Sequence, residues 1–186
     1  SLDAFVPTIR DAVADGAPMG IGLRLSGQAA FSLHEPSVLQ AFQAQLKSLN
    51  AYVFTLNAFP YGTFHGAPVK QAVYAPDWTD AERVRYTLAC IDVLTALLPE
   101  GVDGSISTVP VGFRGACEAP DAMAKVVSHM LQCVAHMVGI KRQTGKHIAL
   151  ALEPEPACYL ETTQEASQFI QTHIRSEKAV AELAQA

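Results

Sequence analysis

"HIALALEP", residues 147–154, alternates branched and small apolar residues and then runs into acid and proline. Alternation of that kind over so few residues describes a β-strand, and the Glu-Pro repeat after it describes a break. The same rhythm extends back through the chain. "MGIGLRLSG" (19–27), "AYVFTLNAF" (51–59) and "GSISTVPVG" (104–112) read as three earlier strands. The segments around them have helical spacing. Leu2, Phe5, Val6, Ile9 and Val13 make one face of a first helix, closed near Gly16. Pro36 suits a first helical position, ahead of Val38, Leu39, Phe42, Leu46 and Leu49. Thr79 and Glu82 have capping-box spacing before Val84, Leu88, Ile91 and Leu94, and Thr162 with Glu165 repeats the signal for a last helix. Between these, Pro120 opens a helix with Met123, Val126, Val127, Met130, Leu131 and Val134 inward and Lys141 and Arg142 near its negative end. A helix followed by four strand–helix pairs points to a parallel sheet covered by helices. Two architectures fit: an open doubly wound sheet, or part of a (β/α)₈ barrel.

Composition narrows the function classes. The chain has 186 residues, 49% hydrophobic and 17% charged, enough to bury a sizeable core. Thirteen Lys plus Arg face 18 Asp plus Glu, with no basic block, which argues against nucleic acid and an anionic membrane surface as partners. No uninterrupted apolar run approaches the roughly 20 residues of a membrane span, so membrane insertion is not expected. The opening "SLDAFVPTIRDAVADG" lacks the basic start and apolar middle of a signal peptide, and the expected compartment is the cytoplasm. Cys90, Cys117, Cys133 and Cys158 form no CxxC pair and read as packed, reduced thiols. The chain has neither a GxSxG elbow nor a GxGxxG turn, which disfavours a nucleophilic hydrolase and a dinucleotide.

Chemistry-bearing residues gather where strands end. Glu153 follows the last strand directly, and Glu155 shares its face if the strand persists. A carboxylate in an apolar mouth is costly unless a cation compensates it, whereas at the start of a solvated loop it costs nothing. In "NAFPYGTFHG" Asn57 ends a strand, Gly62 and Gly66 permit tight backbone, and Tyr61, Phe64 and His65 offer an aromatic wall with a titratable tip. Lys70 and Trp78 continue that loop, and Arg24 closes the first strand. Lysine and tryptophan suit a polyol, sugar ring or anionic substrate, and also suit a surface loop pinned by a half-buried ring.

"VFTLNAFPYGTFHGAPVKQAVYAPDW" (53–78), "RYTLACIDVLTALLPEGVDGSISTVPVGFRG" (85–115) and "IALALEPEPACYLETT" (148–163) resemble the metabolite traffic proteins of the EboE type, within the xylose isomerase-like TIM-barrel superfamily. The resemblance covers about residues 17 to 174 in order. It implies an α/β fold of parallel (βα) units of a TIM barrel, about half a barrel in this chain, since a full barrel takes about 250 residues. Residues 1–176 would form the partial barrel and 177–186 an exposed tail or truncated continuation. By the same resemblance Glu153 is a ligand to a divalent metal ion (Mn, Mg, Co or Zn), and the loop carrying His65 faces the barrel mouth. His65 and Glu155 are then the catalytic candidates. Asn57, Tyr61, Phe64, Lys70, Trp78 and Arg24 are the substrate-binding candidates. The expected function is a metal-dependent sugar or polyol isomerase or epimerase acting on a small-molecule metabolite. The alternative is a non-catalytic metabolite-binding protein of metabolite traffic or export. Open sheet edges make a homo-oligomer an expected state.

Overall fold

The computed structural model describes residues 2–62 and 71–185. Its centre is a four-stranded parallel sheet in the order β1-β2-β3-β4, with β1 at Met19–Arg24, β2 at Ala51–Asn57, β3 at Gly104–Thr108 and β4 at Ile148–Leu152. Seven α-helices surround it among the described residues: α1 Leu2–Val13, α2 Gly27–Ser32, α3 Pro36–Ser48, α4 Ala81–Leu97, α5 Ala122–Thr144, α6 Thr163–Phe169 and α7 Glu177–Gln185. The alternation expected from the sequence is therefore present as repeated βα units.

Sequential order in a parallel sheet has a geometric consequence. Right-handed crossovers made in one direction place every helix on the same face. Strand burial agrees. Val53, Leu56, Ile106 and Ile148 are buried in the core against the helices, with Ile21, Leu23 and Leu150 packed on it. The opposite face carries short side chains. The register puts Gly22, Thr55, Ser105 and Ala149 in one row, and Arg24, Asn57, Ser107 and Ala151 in the next toward the C-terminal ends. Thr55 and Ser105 bridge neighbouring strands through their hydroxyls at 2.8 Å. A bulge opposite Ile21 and Gly22 adds Phe54 to β2 and leaves its ring beside Gly20, where a Cβ would stand 3.0 Å from Phe54 Cδ1.

α4 is the central helix. Most of its circumference is buried, including Val84, Tyr86, Ala89, Ile91, Leu94 and Leu97, and only the narrow stripe Ala81, Arg85, Asp92 and Ala96 is exposed. Its cap differs from the expected one. Asp80, not Thr79, is the N-cap and accepts the Glu82 N–H, because the Thr79 hydroxyl and amide both donate to Asp77 Oδ1. The box at Thr162 and Glu165 forms as expected. α5 is long and apolar enough by composition to cross a membrane, but here Val126, Met130, Cys133, Met137 and Ile140 are buried on its inward side and it packs on α4 and β4. Residues 177–185 form α7, with Ala179 buried.

Candidate functional site

The C-terminal ends of the strands bear four connections: β1 to α2, β2 to α4, β3 to α5 and β4 to α6. Strain concentrates in the last two. Val111, fully buried, has φ +74°, and Ala157, exposed, has φ +65°. Neither residue adopts that region without a cost, and the surrounding structure has to hold it there. The two loops are tied to each other by an antiparallel bridge between Phe113 and Cys158, by Arg114 N–H donating to the Ala157 carbonyl at 3.1 Å, and by Tyr159 N–H donating to the Gly112 carbonyl at 2.9 Å. An Arg114–Glu161 ion pair at 3.2 Å closes their outer edge.

Glu153 extends the ladder of β4 by one bond. Its N–H donates to the Thr108 carbonyl at 3.1 Å, so it follows Ala149 and Ala151 on the face away from the helices. Glu155 is half-buried and belongs to the turn beyond, where its N–H donates to Leu160 and its carbonyl accepts from Cys158. Tyr74, from the β2–α4 loop, and the Cys158 thiol interact with each other, and the Glu155 charge acts on both. Burial, then Cys158 and Glu155, push the Tyr74 phenol above its ordinary value, so it stays a proton donor at neutral pH. Burial raises the Cys158 thiol as well. Phe59 and Phe113 pack around Tyr74, with ring centroids at 5.4 and 6.0 Å. The structure therefore brings Tyr74 beside the turn that carries Glu155 and Cys158, a grouping that no local sequence pattern announces because Tyr74 and that turn come from different stretches.

The remaining residues singled out in the sequence take several places. Asn57 ends β2, and its Oδ1 accepts the Phe59 N–H at 3.0 Å, which turns the chain. Tyr61 donates to Glu82 Oε1 at 2.5 Å, and this bond, followed by burial, raises its pKa. The Tyr61 ring fills the space over Gly27, where a Cβ would fall 2.5 Å from it. Arg24 is exposed at the end of β1, and its charge reaches the Tyr86 phenol. Trp78 is wholly buried and serves packing: its N–H donates to the Val111 carbonyl, and its carbonyl meets His129 Nδ1 at 2.8 Å. Its indole Nε1 and the Thr108 hydroxyl are buried without a hydrogen-bond partner among the described residues. Phe64, His65 and Lys70 lie outside the described residues.

One residue that the sequence reading passed over holds this end together. Arg83 sits in the first turn of α4, fully buried, and donates to the carbonyls of Pro76 (2.7 Å), Ala58 (2.7 Å) and Phe59 (3.1 Å). Burial lowers its pKa to about 10, opposed by the nearby Tyr86, Cys90, Asp77 and Asp80. The signal for it was available: Arg83 starts the inward row Arg83, Thr87, Cys90, Leu94 of α4, where an arginine needs buried partners.

Fold and site together define a parallel α/β protein of βα units with carboxylates at the C-terminal strand ends, the usual location of binding sites in such sheets. No protein-family model matches the chain, and no curated protein matches it either.

Proposed function

We propose that this chain forms the strand-end site of a xylose isomerase-like barrel of the EboE type and that the site binds a sugar or polyol metabolite for isomerisation or epimerisation. The observation that carries the reading is Glu153, placed by the extended β4 ladder on the helix-free face at the C-terminal end of the sheet. Barrels build their sites from residues at that position. The unbroken order of four parallel strands, with helices on one side, is also the arrangement of consecutive units in a barrel wall. The opposite face, rich in Gly, Ser, Thr and Ala, suits a polar interior.

The donor set limits the chemistry. Among the described residues no group of three or more His, Cys, Asp and Glu converges as a cation shell. The described residues alone therefore do not fit a divalent metal, and no step is routed through one. Glu153 is the residue here to test as a ligand. Glu155 is suited to take a proton from the hydroxyl-bearing carbon beside a substrate carbonyl and return it to the former carbonyl carbon, and Tyr74, kept protonated, to donate a hydrogen bond to a substrate oxygen. The incomplete donor set also favours the second reading, a binding protein of metabolite traffic in which these groups hold the ligand without reaction.

Elemental mass spectrometry after dialysis against a weak chelator separates the two. Near-stoichiometric metal in the protein, lost in Glu153→Gln, supports the isomerase reading and directs assays to sugar substrates. A protein that carries no metal and takes none up on titration removes the metal-dependent reading and leaves binding.

A further inference from the structure

We propose that Arg83 is the positioning residue of this site, clasping the two ends of the β2–α4 loop so that Tyr74 is held between Phe59 and Phe113, beside the turn that carries Glu155 and Cys158. The proposal rests on the reading of the strand ends as the functional site.

The geometry is specific. Ala58 and Phe59 begin the loop, just past the last residue of β2, and Pro76 lies near its end, before α4. One planar guanidinium reaches both ends, Nη1 and Nη2 to the first pair and Nε to Pro76. Three nitrogens of one rigid fork point in different directions in a single plane, so the three carbonyls are fixed relative to one another. Tyr74 stands two residues before Pro76 and packs its ring on Phe59, whose carbonyl the clasp holds, and on Phe113 across from it. No carboxylate bonds directly to the guanidinium among the described residues, and neutral carbonyls are its partners there. Removing a cation from water for three carbonyl bonds is a poor bargain for stability alone. The Tyr86 ring, 5.5 Å from the guanidinium carbon, and the more distant Asp77 and Asp80 offset part of the cost. What the arrangement gives in return is a fixed separation of loop ends. Beyond the clasp the loop is anchored at Trp78, through Val111 and His129.

Lysine cannot replace this residue. It presents a point charge at the end of a flexible stem and cannot bond three carbonyls from two segments in one plane. Arg83→Lys and Arg83→Gln are compared with the wild type by amide hydrogen exchange, by acrylamide quenching of Trp78, the sole tryptophan, and by Mn²⁺ titration. The expected result for Arg83→Lys is faster exchange, about tenfold or more, at Phe59, Trp78 and Thr79, with the amides of β3 and β4 unchanged. Trp78 quenching rises, and any Mn²⁺ affinity of the wild type falls about tenfold. Arg83→Gln serves as a second variant of smaller size should the lysine fail to fold. Equal acceleration at every amide, or a lysine variant matching the wild type at the loop, overturns the proposal. A wild type that binds no Mn²⁺ counts against the metal-dependent site only, because exchange and quenching still decide whether Arg83 fixes the loop.

Discussion

At the scale of single residues, the site end of this molecule depends on groups held where they would not settle alone. Arg83 is buried at the cost of desolvation, which its lowered pKa records. Val111 and Ala157 occupy the left-handed region that L side chains disfavour by about 1–2 kcal/mol. The two differ in what a glycine would do. Val111 is fully buried, so losing its side chain offsets the relief of backbone strain. Ala157 is exposed, and a methyl group there contributes little. Ala157→Gly is therefore expected to raise stability by about 0.5–1 kcal/mol, the strain relief less the extra unfolded-state freedom of glycine. Urea denaturation measures it, and a lower midpoint in the variant would contradict the αL geometry assigned to this turn.

At the scale of elements, a capping box was readable where no neighbouring aspartate competed for it. Thr162 and Glu165 satisfy each other's backbone at the start of α6: Thr162 Oγ1 accepts the Glu165 N–H at 3.2 Å, and Glu165 Oε2 accepts the N–H of Thr162 at 2.9 Å and of Glu161 at 2.7 Å. Thr162→Ala should cost about 1 kcal/mol, the usual value of an N-cap. These backbone bonds hold the Glu165 carboxyl below its ordinary 4.5. The folded value being the lower one, the stabilisation is complete above the unfolded value and disappears as pH falls through the folded one. Wild type and Glu165→Gln are thus expected to converge in stability in acid and to separate as pH rises toward 4.5, with the full difference above it. A constant difference across that range in a pH series of denaturation curves would show that ionised Glu165 plays no part in the cap. The matching spacing at Thr79 and Glu82 gave no box, because Asp77 competes for Thr79 and Asp80 takes the cap. α2 was not foreseen. Its signal was Ser26, which accepts the Ala29 N–H at 3.2 Å, inside a stretch whose alternation reads as strand.

At the scale of the whole molecule, the sheet divides the protein into a packed side and an open side. Ile106, in an interior strand, is fully buried on the packed side, whereas Phe54 at the bulge keeps 38% of its surface exposed. Ile106→Ala should cost about 2–5 kcal/mol as a core truncation, and Phe54→Ala less than about 1 kcal/mol as a partly exposed one. Comparable losses in the two, measured by urea unfolding, would mean that the open face is covered in solution. Apolar side chains are also exposed on the end helix α1, where Phe5, Ile9 and Val13 belong to the apolar face read from the spacing, and only Val6 of that helix is buried. Helical spacing identified the helix correctly, but burial of its apolar row needs an element packed against it.

The sequence alone determined the order of elements, the inward row of α5 around Val126, Met130 and Leu131, and the position of Glu153 at a strand end. Periodicity and capping are local properties, set by neighbours within a few residues. The tertiary structure alone decided which partners those residues find. It buried Trp78 behind the strand ends, gave Thr79 to Asp77, seated Tyr74 between Phe59 and Phe113, and closed Arg83 on two distant carbonyl groups. Apart from Thr79 with Asp77, these pairings join segments far apart in the chain, and a hydrogen-bond partner supplied from 20 or more residues away, as Ala58 is to Arg83, leaves no period in the chain to read.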